Sequence, residues 1–312
     1  MKKALPFLLL FLSYLSAGIF PIDIRPEGMK GDRIGSIRIL DQRELVFGKL
    51  GRGHFSEISD VAYRSDRHWL FMVSDEGVLF RFRARFGEGI SELVPLEGER
   101  LRKADGRKLG KSHRDSEGLT LDDRGRLYVS FEGKPRIARL SDDGRVFAWL
   151  KLPSFLASKR YYRGSNKALE ALVWHPRYGL VTAPEYPLKG SASQIQTLYA
   201  LSGKRWSYPR GPEPHSAITA LEVLDNGDFL ILERAYNGPT APMVVILRQL
   251  EISRCRNGRC PDRILARFDS SEGWAVDNFE GLAKVGPHRF VMISDDNDNV
   301  FQKTILVYFE VK

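Results

Sequence analysis

The chain is poor in the residues that most often announce a chemistry. Its 312 residues include two cysteines and six histidines. The two thiols, Cys255 and Cys260, have no third cysteine or nearby histidine to complete a zinc site, and His113, His175, His215 and His288 show no paired ligand spacing. No Gly-x-Ser-x-Gly elbow and no Ser, His and Asp set stands out, so serine-based catalysis is not indicated. Glycine-rich phosphate loops are missing too. Beyond the N-terminus no segment approaches about 20 uninterrupted apolar residues, which excludes a later helical membrane span. A long helical repeat is also lacking, and no nucleic-acid-binding motif is recognisable.

What is present begins with MKKALPFLLLFLSYLSAGIF. Lys2 and Lys3 precede an apolar run from Ala4 to about Leu12, and small residues follow at Ser16, Ala17 and Gly18. This is a secretory signal peptide pattern over 1–18, with cleavage expected near Ala17 or Gly18. No cysteine lies near that point to carry a lipid anchor. The expected location is periplasmic or secreted, with no stable membrane insertion after cleavage. In such a compartment Cys255 and Cys260, flanking the turn-forming Asn257-Gly258, read as a disulfide closing a small surface loop.

The remaining residues, 19–312, read as a single domain, and a hydrophobic content of 43% suffices for a substantial core. Formal net charge is +9. A basic surface attracts small anionic partners, and export argues against nucleic acid. Oligomeric state is not set by the sequence.

The stretch Asp115 to Gly133, DSEGLTLDDRGRLYVSFEG, reads as a β-hairpin. Its arms alternate apolar and polar residues about the Asp122-Asp123-Arg124-Gly125 turn cluster. With the turn centred between Arg124 and Gly125, Glu117 and Glu132 face each other, their Cβ atoms about 5 Å apart. Relatives of this hairpin recur at Glu57 to Gly77, Asn166 to Tyr186, His215 to Tyr236 and Asp277 to Asn299. They pair Glu57 with Asp75, Glu170 with Glu185, Glu222 with Glu233, and Glu280 with Asp295. First-arm acids at 57, 117, 170, 222 and 280 are 52 to 60 residues apart, a period suited to propeller blades. Five hairpins plus strand-like segments at 34–50 predict an all-β, six-bladed β-propeller. It would have four-stranded antiparallel blades around a central channel, closed by pairing the N-terminal strands with the last blade. The charged, glycine-containing segment Gly87 to Arg114 reads as a long connection.

In a propeller, equivalent ends of successive blades gather at one mouth. Glu57, Asp75, Glu117, Glu170, Glu185, Glu280, Asp295 and Asp296 therefore form an expected oxygen-rich metal site suited to Ca2+. The alternative is an acidic, hydrated channel. Arg136 and Arg234, just past second-arm acids, are candidates to hold an anionic substrate group or to pair with neighbouring acids. His113 and Glu132 are candidates for proton transfer.

The segments DSEGLTLDDRGRLYVSFEGKPRI, NKALEALVWHP, LERAY and DNFEGLAKVGPHRFVMISDDN resemble the successive signatures of the bacterial phytase-like family, described as having esterase-like activity of phytase. The resemblance runs from about Gly53 to the C-terminus. It implies an exported β-propeller acting on phosphate or other esters with calcium. Its matching positions are Glu117, Glu132, Glu170, Glu233, Arg234, Glu280, Asp295, Asp296 and Asn297. Thr219-Ala220 departs from the pattern, as does Pro184-Glu185. Three functions follow as expectations: a calcium-dependent ester or phosphate hydrolase, a calcium-dependent lactonase, and a non-catalytic ligand-binding or scaffold propeller with a structural ion.

Overall fold

A computed structural model describes residues 17–110, 113–164, 167–238 and 241–312. All but the last two residues of the expected signal peptide lie outside that set. Among the described residues no helix is long and apolar enough to cross a membrane.

The alternating segments form four consecutive four-stranded antiparallel sheets. Blade one comprises Ile58–Arg64, Trp69–Ser74, Val78–Phe86 and Ile90–Arg100. Blade two comprises Ser116–Leu121, Leu127–Phe131, Arg136–Leu140 and Val146–Trp149. Blade three comprises Leu169–His175, Gly179–Pro184, Ile195–Ala200 and Arg205–Pro209. Blade four comprises Ser216–Val223, Phe229–Ala235, Val244–Leu250 and Asp262–Asp269. Blade five takes Asn278–Gly286, Arg289–Asp295 and Ile305–Val311 from the C-terminus and its fourth strand, Ile37–Val46, from the N-terminus.

The expected closure is thus present: Ile37 pairs with Val311 and Glu44 with Ile305. The expected sixth blade is not. The early segments supply one long strand that completes blade five, and Gly18–Pro21 and Arg33–Ile34 pair against that same strand. An inner hairpin would be needed for a further blade, and residues 17–50 contain none. Part of the expected connection Gly87 to Arg114 is also strand, because Ile90–Arg100 forms the outer edge of blade one.

Burial follows the ring. Five larger clusters of buried apolar side chains each join successive blades. Val73 meets Leu119 and Val129 between blades one and two, and Ile137 meets Leu169 and Leu172 between two and three. Val173 and Leu198 meet Ile218 and Phe229 between three and four. Leu232 meets Phe279 and Phe290 between four and five, and Ile293 meets Ile58 and Met72 between five and one. Burial of such side chains is worth about 1.5–3 kcal/mol each, so the seams between blades carry most of the stability.

First strands line the axis and approach one another closely. A Cβ added at Gly118 would lie 2.5 Å from the Leu172 backbone nitrogen, so only glycine fits there. Side chains also tie the strands together. Thr120 Oγ1 accepts from the Trp174 amide at 3.1 Å, and Glu222 Oε2 accepts from the Lys284 amide at 2.8 Å. Buried Asp60 accepts amide protons from Val61 (2.8 Å), Leu119 (2.6 Å) and Leu282 (3.0 Å), linking blades one, two and five. Truncating Asp60 to alanine strands these donors, and an unmet buried donor costs about 1–3 kcal/mol. Asp60→Ala is expected to lower the unfolding free energy by roughly 3 kcal/mol. Urea denaturation monitored by tryptophan fluorescence measures it, and an unchanged midpoint would refute the clamp.

The Cys255–Cys260 disulfide closes its loop, with Cα atoms 4.0 Å apart. That loop docks on the outer strand of blade three, where the Ser207 amide donates to the Gly258 carbonyl at 2.7 Å.

Candidate functional site: an acidic channel mouth

The inner hairpins place the acids through a shared irregularity. In every blade the first strand carries one extra residue relative to the second, a β-bulge. The registers put the extra residue at Ser59, Glu117, Glu170, Thr219 and Glu280. A bulge re-aims its side chain, and four of these five residues line a cavity of about 240 Å³ at one end of the channel, Thr219 being the exception.

The end of each second strand supplies a further side chain to the same cavity: Asp75, Glu132, Glu185, Arg234 and Asp295. Lys167 and Asn297 complete the lining. Each blade therefore contributes one residue from its second strand, and the fourth contributes a cation where the others contribute an acid.

The bulge corrects the expected pairing. Glu117 does not sit opposite Glu132. The Glu132 amide donates to the Asp115 carbonyl at 2.9 Å, so Asp115 is its cross-strand neighbour. The offset of 15 between Glu117 and Glu132 nevertheless marks equivalent positions, because the bulge recurs. In blade four the equivalents are Thr219 and Arg234, not Glu222 and Glu233. Buried Glu233 points away from the mouth, to Arg248 at 2.9 Å and the Tyr208 hydroxyl at 3.1 Å. In blade one Glu57 does stand opposite Asp75, whose amide donates to the Glu57 carbonyl at 3.1 Å, but the bulge position is Ser59.

Seven carboxyl groups, Asp75, Glu117, Glu132, Glu170, Glu185, Glu280 and Asp295, thus share the cavity with two basic side chains. Lys167 Nζ lies 2.8 Å from Glu185 Oε2. Arg234 lies 3.2 Å from Glu280 Oε1 and 3.9 Å from Glu185 Oε1, and it donates to Asn278 Oδ1. Two cations do not balance seven acids. Burial, with repulsion from neighbouring acids, pushes Glu117 and Glu170 well above the usual carboxylate range. Glu280 is pushed up as well, chiefly by burial and against the pull of Arg234. Burial first, and neighbouring carboxylates second, raise Asp75 to about 8 and Asp295 to about 9. Glu132 is raised to about 7 by burial, against an amide bond from Ala168 at 2.8 Å.

Two triplets bring one oxygen each within 4.8 Å of one another: Asp115, Glu117 and Glu132, and Glu132, Glu170 and Glu185. The donors are all oxygens, with no histidine or cysteine among them, and such a set fits a hard cation of the calcium type rather than zinc.

Other expected site residues lie outside the lining. Glu57 is at the rim, hydrogen-bonded to Asp75. Asp296 turns away: its Oδ1 accepts from the Ser56 hydroxyl at 2.6 Å and the Glu57 amide at 3.0 Å, and its Oδ2 accepts from the Thr304 hydroxyl at 3.0 Å. Arg136 stacks on Trp149, 4.1 Å from the ring centroid, and donates to the His113 carbonyl at 2.9 Å. Burial lowers its pKa to about 10, and neither it nor His113 reaches the cavity. Sequence reasoning missed Ser59 and Lys167. The spacing of 15 that relates the two positions in the other blades does not find Ser59, which lies 16 residues before Asp75 and yields its place to Asp60, and Lys167 gives no periodic signal.

Fold and site together define a five-bladed β-propeller with a carboxylate-lined channel mouth. A family model described as "Phytase-like: Esterase-like activity of phytase" matches residues 53–298, and the chain belongs to that family. No curated protein matches the sequence. Virginiamycin B lyase from Staphylococcus aureus is a similar solved structure, at 10% identity and TM-score 0.43, covering 95% of this chain and 99% of that one. A putative gluconolactonase is similar at 13% identity and TM-score 0.40, covering 93% and 95%.

The raised carboxyl groups fix a pH dependence. A group whose folded pKa lies above its unfolded value stabilises the fold below the unfolded value and loses that contribution as pH rises through the folded one. In chelator the melting temperature is expected to fall from about pH 4, the ordinary carboxylate value, up to about pH 9, the folded value of Asp295, with the contributions of Glu132 and Asp75 levelling off at about 7 and about 8. Millimolar calcium is expected to reverse the fall, more strongly at higher pH. Differential scanning fluorimetry checks both, and a melting temperature that rises with pH in chelator would contradict the assignment.

Proposed function

We propose that the chain is a calcium-dependent hydrolase of phosphate or carboxylic esters, acting at the acidic channel mouth. The carrying observation is the convergence of seven carboxyl groups from blades one, two, three and five on a single cavity that Arg234 enters from blade four. Glu117, Glu170, Glu280 and Asp295 are the residues to hold the ion, with Glu185 balanced by Lys167 at its side. When bound, calcium polarises an ester or phosphoryl oxygen and lowers the pKa of an attacking water. Arg234, anchored by Glu280 and Asn278, offers a guanidinium to an anionic substrate group. Glu132 is fixed by the Ala168 amide, and its pKa of about 7 suits proton exchange near neutrality. The N-terminal pattern and the disulfide support a periplasmic or secreted location.

A second reading is a non-catalytic propeller whose carboxylates hold a structural ion. It is favoured by the lack of histidine in the cavity lining among the described residues.

Acetate esters, lactones and phosphomonoesters, assayed with calcium and then with chelator, separate the two. Calcium-dependent turnover is expected on at least one class, with Glu117→Gln and Glu280→Gln each lowering kcat/KM about 100-fold or more. Arg234→Ala is expected to raise KM about tenfold for anionic substrates only. Thermal stabilisation by calcium without turnover on any class would establish the second reading instead.

A further inference from the structure

Beside the acidic mouth lies a second cavity, of about 600 Å³, which shares Arg234 and Asn297 with it. Its other walls differ in kind: Tyr236, Met243 and Phe301 are apolar, and Asn278, Asn299 and Gln302 offer amides. No carboxylate lines it among the described residues. Arg234 stands on the boundary, and among the described residues its buried Nε has no hydrogen-bond partner.

The loop 296–304 that carries Phe301 is a built structure. Its Asp296 carboxylate is held by Ser56, Thr304 and the Glu57 amide. The Asn299 side chain accepts from the Phe301 amide at 3.0 Å, Asn297 Nδ2 donates to Gln302 Oε1 at 3.0 Å, and Gln302 Nε2 donates to Asp277 Oδ1 at 2.8 Å. On this tethered loop Val300 and Phe301 are 92% and 89% exposed, and Tyr236 across the cavity is 47% exposed. Apolar side chains held in water by a fixed backbone, at the edge of a reacting cavity, gain free energy when something apolar covers them. Two aromatic rings facing a shared cavity favour a third ring between them. The volume lies within the range of small-molecule sites.

We propose that this second cavity receives an aryl group of the substrate, so that the molecule processed at the mouth is an aryl-substituted ester or phosphate. The assignment of the mouth as the reacting site is the reading on which it rests. The charged or ester head reaches past Arg234 into the carboxylate ring while the aryl group lies against Phe301, Tyr236 and Met243. The amides of Asn299 and Gln302 accommodate polar substituents on that ring.

The test uses the full chain loaded with calcium, with phenylphosphonate and methylphosphonate as non-hydrolysable probes. Phenylphosphonate is expected to bind at least about tenfold more tightly in calorimetry. Phe301→Ser is expected to erase the difference, whereas Phe147→Ser, at an exposed ring on the outer strand of blade two, leaves it intact. Equal affinities in the unaltered protein would overturn the aryl subsite and leave the hydrolase reading standing. If neither phosphonate binds, anion capture at the mouth fails, and the neutral fluorophore N-phenyl-1-naphthylamine decides the subsite alone. Fluorescence enhancement lost in Phe301→Ser and kept in Phe147→Ser supports it, and equal enhancement in both variants overturns it.

Discussion

Like charge in a small space is the constraint against which this molecule is built. Each carboxyl group at the mouth arrives on a rigid β-hairpin, and none can withdraw without disturbing the seam behind it. Repulsion is met partly by Lys167 and Arg234 and partly by retained protons. The apolar clusters between successive blades supply the free energy that holds the acids together. A dication held among these groups, as proposed, would replace repulsion between carboxylates with attraction to each of them.

The fourth blade breaks the pattern in a useful direction. Thr219 and Arg234 replace the two acids, and Thr219 spends its hydroxyl on the Phe279 carbonyl at 3.2 Å. The cavity is therefore asymmetric, with Lys167 beside Glu185, Arg234 between Glu185 and Glu280, and the acids of blades one and two without a basic partner in the lining.

The propeller class was legible because the hairpin and its carboxylates recur at regular intervals, and a period of that kind has few structural explanations. Blade number was not legible, since the strand character of residues 34–50 is the same whether they begin a new blade or finish the last. Cross-strand partners were misassigned where a bulge adds a residue without any compositional mark, so that Glu117 shifts against Glu132 although their spacing is constant, and in blade four where the turn lies nearer Asn226, so that Glu222 faces Leu230. Lys167 lies in a connection and has no counterpart in other blades, which leaves nothing to recognise. Arg136 was visible as a basic residue after an acid, but the choice between the channel and the face of Trp149 is made by packing.

The last strand of blade five is the first long one in the chain. Ile37–Val46 can find its partner Ile305–Val311 only after almost the whole polypeptide is available, so ring closure is a contact of maximal sequence separation. Without that pairing the edge of the segment that faces Ile305–Val311 is open, although Gly18–Pro21 and Arg33–Ile34 pair with the same strand, and the two hydrophobic seams flanking blade five are exposed. The mouth, to which blade five brings Glu280 and Asp295, is therefore held shut by a pairing between the two ends of the chain.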